Sequence, residues 1–341
     1  MNPINLLITV GQFPEDRLKQ IKAVDPRIQV KQVPYSFSWE EHSARQRALS
    51  VEKAPPDAPV SPELKSALAE AEIVYGFDLP VHTRKMAPRL KWVQQVGAGM
   101  ETLLCTDLMD GTVAITCNRG GVGYAIADYV WGGILYFTKL SGFFEMAKQK
   151  KWALSSNQDV RGKTLGIVGL GGNGMEVARR APAFGVRVIA LDIRPLGAVP
   201  GVEHIYAPKD LNKMLAECDL VVLTLALTRD TLKMFKRPQF EAMKPGAYFI
   251  NVARGAIVDT DALVSALKEK RIAGALLDVQ DYEPVPPTSP LWDVPNLHIT
   301  PHSSGAVPYQ SVSNFGVFMD NLNRYVKGEP LTNTVDVKLG F

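Results

Sequence analysis

Cysteine is scarce in this chain. Only Cys105, Cys117 and Cys218 occur in 341 residues. Their odd number and wide spacing argue against a disulfide framework and against a zinc site of paired cysteines, and no other metal-ligating cluster stands out. A reducing compartment, the cytosol, is the expectation. Neither sign of charge dominates: 38 basic and 35 acidic residues leave +3, with no long basic run, so no nucleic-acid partner is expected. Long apolar runs are missing too. The most apolar stretch, Tyr129 to Phe144, is too short to span a bilayer and contains Lys139, so no membrane partner is expected. The first residues, Met1-Asn2-Pro3-Ile4-Asn5, lack the basic region and apolar core of a signal peptide.

What remains is an ordinary globular composition, 46% apolar and 21% charged. The length suits about two domains. Leu6–Val10, Ile28–Val30 with Val33, Ile73–Tyr75 and Trp92–Val93 with Val96 read as strands of a small parallel α/β domain. Ser38-Trp39-Glu40-Glu41 has the form of a capping box. The proline-rich run from Lys53 to Ser61 reads as a loop, and Ser61-Pro62-Glu63 as a helix start. Apolar spacing from Tyr124 to about Lys151, with Ala127, Val130, Ile134 and Phe137, predicts one long connecting helix. A second alternating block follows. Six strands are predicted there: Leu165–Val168, Val186–Leu191, Leu220–Leu225, Ala247–Asn251, Ala273–Leu277 and His298–Thr300. They fit a doubly wound, Rossmann-type sheet. A last helix is predicted over Gln310 to Lys327, returning to the first domain. The expected domains are 1–120, 121–305 and a C-terminal segment 306–341.

Gly169-Leu170-Gly171-Gly172-Asn173-Gly174 has the G-x-G-x-x-G spacing, with a predicted strand before it and a helical run from Met175 after it. The first glycine permits the turn, the second lets the backbone approach a pyrophosphate, and the third lets helix and strand pack closely. The helix N-terminus adds amide donors for the phosphates. Asp192 ends the next strand, eighteen residues after Gly174. That is where an acid binds the ribose 2′-hydroxyl and repels a 2′-phosphate, which favours NAD. Arg194, two residues on, keeps NADP open as the alternative, or else lies along the adenine.

Three segments downstream hold a fixed positive charge, a carboxylate and an imidazole: Arg254 in Asn251–Gly255, Glu283 in Asp278–Pro284, and His302 in Thr300–Gly305. A 2-oxo acid can use that set. The guanidinium holds its carboxylate and the imidazole protonates its carbonyl oxygen. Of five histidines, only His302 sits beside a Thr-Pro turn after an apolar strand. Gly97-Ala98-Gly99, after a strand of the first domain, can form an anion nest or be a plain turn. Tyr75, Phe77 and Tyr309 are candidates for lining a substrate pocket.

These segments together resemble the D-isomer-specific 2-hydroxyacid dehydrogenases, from about Ile73 to Lys327. The resemblance rests on Val96–Gly99, Arg161–Gly169, Met243–Ala247 with Asn251–Gly255, Asp278–Pro284, and Pro295–Leu297 with Thr300–His302. It implies two α/β domains closing on a cleft, a Rossmann domain inserted in a flavodoxin-like substrate domain, and a homodimer through the cofactor domain. It implies reduction of a 2-oxo acid, with Arg254 on the substrate carboxylate, His302 as acid–base, and Glu283 holding His302. The Ala98 and Gly99 amides meet the substrate. Gly169, Gly171, Gly172, Asn173, Gly174, Asp192, Arg194, Ala253, Asp278 and His302 meet the cofactor, Asp278 at the nicotinamide carboxamide. The chain departs from the family at Asn173, Asp128 and Leu225–Thr228. Glu283 disfavours a formate dehydrogenase, where glutamine stands. Some relatives are corepressors, so an NAD-sensing interaction protein is the alternative function.

Overall fold

A computed structural model describes residues 2–154, 158–308 and 310–341. The chain forms two compact units. The first holds 1–121, 227–229 and 308–341; the second holds 122–226 and 230–307. The short excursion of 227–229 into the first unit had no signal in the sequence.

The first unit is built on a five-stranded sheet, all parallel, in the order β2-β1-β3-β4-β5. The strands are β1 (Ile4–Ile8), β2 (Ile28–Gln32), β3 (Ile73–Gly76), β4 (Trp92–Gln95) and β5 (Ala114–Cys117). This is the flavodoxin-like order. Most of these strands are buried on both faces, as parallel sheets require. One face packs Leu7, Val74, Val93 and Ile115 under Leu64 and Leu68. The other packs Leu6, Tyr75 and Trp92 under the Gln310–Lys327 helix, through Phe315, Phe318 and Leu322. That helix therefore belongs to the first unit. Tyr75, a candidate for lining a substrate pocket, lies buried in this core with its ring tilted against Phe318, centroids 4.5 Å apart. Tyr309 lies outside the described residues.

β5 was not predicted. Its pattern is broken by Thr116, whose hydroxyl bridges Trp92 Nε1 at 2.8 Å and Gln94 Oε1 at 2.8 Å. A polar residue thus sits in a buried strand because its partners lie on β4. The helix over Trp39–Ala48 starts with the predicted capping box, Ser38 and Glu41 bonding each other's backbone. Ser61 caps the Pro62–Glu70 helix, with Pro62 in its first turn.

The second unit is a seven-stranded parallel sheet, one strand more than predicted. It consists of β6 (Thr164–Val168), β7 (Arg187–Leu191), β8 (His204–Tyr206), β9 (Leu220–Leu223), β10 (Tyr248–Asn251), β11 (Gly274–Leu277) and β12 (Leu297–Ile299), in the order β12-β11-β10-β9-β6-β7-β8. The extra strand, β8, is a half-exposed edge of three residues, too short to show a hydrophobic period. Chain order reverses between β6 and β9, the switch point where such sheets bind ligands. The connecting helix is not uniform. Gly123–Leu135 is α-helical, Tyr136–Leu140 is a π-helical turn, and Ser141–Lys148 is α-helical again. Phe137 in that turn stacks on Tyr248 of β10, with centroids 4.8 Å apart. Among the described residues, no helix is long and apolar enough to cross a membrane.

Candidate active site

The glycine loop leaves β6 at the switch point. Gly169 has φ +95°, a conformation that favours glycine, and a side chain there would run into the Leu225 backbone beyond β9. A side chain at Gly174 would strike the Gly169 carbonyl. Gly171, by contrast, has nothing within 4 Å of its would-be Cβ. Its bareness leaves room over the loop, as close approach of a phosphate needs. The following helix begins at Gly172, not at Met175 as predicted, with Gly171 as N-cap and no side-chain cap. Gly172, Asn173 and Gly174 are thus its first turn, where amides have no intrahelical partner. The loop fits a dinucleotide pyrophosphate.

Asp192 stands just past β7. Its carboxylate is saturated: Oδ1 accepts from Arg194 N and Nε, and Oδ2 from Leu170 N and Arg194 Nη2, all at 2.8–2.9 Å. Arg194 Nη2 also donates to Leu170 O at 2.9 Å. Burial alone raises the Asp192 carboxyl. The hydrogen bonds from Arg194 and Leu170 outweigh that and hold it below the ordinary aspartate range. A carboxylate has about four acceptor positions. A ribose hydroxyl would therefore compete at Asp192 with the hydrogen bonds of Arg194 and Leu170.

Arg254 follows β10. Asn251, fully buried, shapes the turn: its Oδ1 accepts from Ala253 N and its Nδ2 donates to Arg254 O, each at 3.0 Å. Gly255 then packs directly on the Gln280–Asp281 backbone, where any side chain would clash. That contact joins the Arg254 segment to the Glu283 segment. Glu283 is buried. Its Oε1 accepts from Gln280 N at 2.9 Å and its Oε2 faces His302 Nδ1 at 2.9 Å.

His302 is a non-glycine residue at φ +51°. Such a conformation costs of order 1–3 kcal/mol and persists only when its surroundings impose it. Asp278, fully buried past β11, is what imposes it. Its carboxylate accepts from Ser303 N and the Thr300 hydroxyl at 2.8 Å and from Ser304 N at 2.9 Å, while its carbonyl accepts from His302 N at 2.8 Å. The Thr300 oxygen also lies 2.6 Å from the Tyr129 hydroxyl. Because Thr300 donates to Asp278, Tyr129 donates to Thr300. Burial pushes the Tyr129 phenol up to about 12, so it keeps its proton. Asp278 is thus engaged by the His302 turn, with at most one acceptor position left over. The expected contact with a nicotinamide carboxamide would use that remaining position, while the other three hold the His302 turn. The residues missed are Thr300, Tyr129 and Asn251, which no spacing rule marks.

In the first unit, Gly97-Ala98-Gly99 follows β4. Asn118, buried after β5, fixes it: Asn118 N donates to Gly97 O at 3.0 Å and Asn118 Nδ2 donates to Val96 O at 2.6 Å. Ala98 is exposed.

A switch-point phosphate loop, with an arginine and a paired imidazole in the same unit, defines a class: the dinucleotide-dependent oxidoreductases. Comparison with known proteins narrows it. Residues 134–304 match the family model described as D-isomer specific 2-hydroxyacid dehydrogenase, NAD binding domain. The chain is 33% identical over 279 residues to a glyoxylate/hydroxypyruvate reductase B of Pectobacterium carotovorum, covering 79% of this chain and 87% of that protein. A D-isomer specific 2-hydroxyacid dehydrogenase family protein of Aeromonas salmonicida superposes with TM-score 0.74 at 28% identity, over 98% of this chain and 100% of that one. A Xanthobacter autotrophicus homologue, solved with NADPH, shares the fold at TM-score 0.80 and 24% identity over the full length of both. The chain belongs to the D-isomer specific 2-hydroxyacid dehydrogenases. It is an oxidoreductase acting on 2-hydroxy acids, with an NAD(P)-binding second unit.

The Asp278 network makes a testable statement about stability. Asp278→Asn keeps the shape but points an amide donor at groups that are themselves donors. It should cost about 1–3 kcal/mol in urea unfolding, and Tyr129→Phe, at the edge of the network, about 1 kcal/mol. An Asp278→Asn protein with wild-type stability would show that the carboxylate does not hold the His302 turn.

Proposed function

We propose that the protein is an NAD-dependent D-2-hydroxyacid dehydrogenase working as a 2-oxo acid reductase. The observation that carries this reading is the 2.9 Å pairing of Glu283 with His302 Nδ1, the Glu283 segment being packed against the turn that bears Arg254. Arg254 binds the substrate carboxylate with its planar donor fork. The amides of Ala98 and Gly99 are assigned as further donors to that carboxylate. Glu283 holds the Nδ1 proton, which leaves Nε2 as the atom that exchanges a proton with the substrate oxygen. The bound nicotinamide supplies the hydride. In reduction, His302 gives its proton to the oxygen as the C2 carbonyl becomes a hydroxyl, and it is reprotonated from solvent. In oxidation it takes the proton back.

NAD is assigned because Asp192 sits at the ribose end of the loop. The Arg194 clasp weakens that preference, since the pair is nearly neutral where a lone carboxylate would repel a 2′-phosphate. We also propose a homodimer through the second unit. Leu140, Phe143, Phe144, Trp152 and Leu154 are all exposed there, along and beyond the Ser141–Lys148 helix. Apolar exposure on this scale marks an interface.

Three outcomes test these assignments. Arg254→Ala should lower reductive kcat/KM by about 10²–10³-fold, leave NADH binding by fluorescence unchanged, and be only partly rescued by Arg254→Lys. Near-normal turnover would remove the substrate-clamp role. For the cofactor, Arg194→Ala should raise the NADH-to-NADPH ratio of kcat/KM several-fold and Asp192→Ser should lower it. A ratio that moves oppositely in either variant contradicts the assignment. Sedimentation should give about twice the monomer mass at micromolar concentration, and a purely monomeric profile would refute the dimer.

A further inference from the structure

Phe77 and Gly97 leave the same edge of the first unit's sheet. β3 and β4 are neighbours, with Gly76 opposite Gln95, so the residues just beyond them emerge side by side at the carboxyl ends of the strands. Parallel α/β sheets bind ligands at that edge. The Phe77 ring lies directly against Gly97: a Cβ added there would stand 2.8 Å from Phe77 Cε2. Gly97 does not have a left-handed φ, so glycine at 97 makes room for the ring.

Phe77 does not stand alone. His42 stacks beneath it, ring centroids 5.1 Å apart and planes 11° from parallel. Asp78 fixes that imidazole, with Oδ1 3.3 Å from His42 Nδ1 and Oδ2 accepting from Phe37 N at 3.0 Å. Trp39 meets His42 edge-on at 6.0 Å. His42 is 7% exposed, whereas Phe77 is 37% and Trp39 57% exposed. A buried, tethered imidazole thus supports two exposed aromatic rings, Phe77 against the Gly97 turn and Trp39 on the imidazole edge.

We propose that Phe77 and Trp39 form the wall for the substituent at C2, and that the preferred substrate is a 2-oxo acid with an aromatic side chain, of the arylpyruvate class. This rests on the reductase reading above and on the Gly97–Gly99 turn holding the substrate carboxylate. Once the carboxylate is on the turn, the substituent is carried toward the ring packed on Gly97. Glyoxylate has only hydrogen there and hydroxypyruvate a small polar group, and neither uses an aromatic wall. An arylmethyl group removes its ring from water and meets Phe77 and Trp39 in stacked or edge-on geometry. Burying an aromatic ring favours such a substrate by about 10–100-fold in kcat/KM.

The test is a kinetic panel with NADH and NADPH: glyoxylate, hydroxypyruvate, phenylpyruvate and 4-hydroxyphenylpyruvate, for the wild type, Phe77→Ala and Trp39→Ala. Wild-type kcat/KM should be at least about 10-fold higher for the aryl acids. The aryl-to-glyoxylate ratio should drop about 10-fold or more in Phe77→Ala, and less in Trp39→Ala. The ratio cancels any general damage to the Gly97 turn. Phe77→Leu, which keeps bulk without a ring, takes the place of Phe77→Ala if melting curves show that the latter fails to fold. An active wild type with no aryl preference overturns the proposal and leaves the reductase reading standing. A ratio unmoved by the Phe77 variants also overturns it, and is the outcome expected if the rings serve protein association. Turnover of none of the four acids with either cofactor overturns the reductase reading and this proposal with it.

Discussion

One buried carboxylate, Asp278, underlies the proposed catalytic site. It accepts from the Thr300 hydroxyl and the amides of Ser303 and Ser304, and so holds His302 in a left-handed conformation that a histidine does not choose. Losing such an acceptor would leave buried donors unsatisfied, the costly side of hydrogen-bond energetics. The strain at His302 is tolerated because it is over-determined, and its consequence is an imidazole aimed at Glu283. The chemistry proposed here therefore depends on a residue that need not touch the substrate.

Close backbone approach is the second constraint, and glycine supplies it. Gly255 lets the Arg254 turn lie on the Gln280 backbone, and Gly174 lets the first helical turn sit on the Gly169 carbonyl. The two contacts fix the Arg254 and Glu283 segments and the glycine loop at the carboxyl ends of one sheet. The same device recurs in the first unit, where Gly97 makes room for Phe77. At Gly97 and Gly255 the missing side chain is replaced by a neighbour's atoms, whereas at Gly171 the space is left open.

Much of this was legible in the sequence because the constraints are local. The glycine spacing after an apolar strand located the tight turn at the switch point, and apolar runs located ten of the twelve strands among the described residues. The two missed strands failed for physical reasons. β8 is too short and exposed to show a period, and β5 hides behind Thr116, whose partners lie on β4. The helix start was placed three residues late because Gly172 and Gly174 have low helix propensity and are recruited by packing. Non-local partners were invisible. The hold of Asp278 on the His302 turn went unread because Thr300, Ser303 and Ser304 lie more than twenty residues on. Asp192 read as an open carboxylate because nothing in the string shows Arg194 folding back on it. The packing of Tyr75 under the C-terminal helix was hidden in the same way.

The central claim is that Glu283 and His302 act as one unit. A double-mutant cycle on reductive kcat/KM measures this directly, using Glu283→Gln, His302→Gln and the double variant. If the carboxylate works only through the imidazole, the double variant should be about as slow as His302→Gln alone, as for other residues that act together. Losses that multiply, so that Glu283→Gln slows the enzyme as much without His302 as with it, would show that the two groups act independently and would contradict the account.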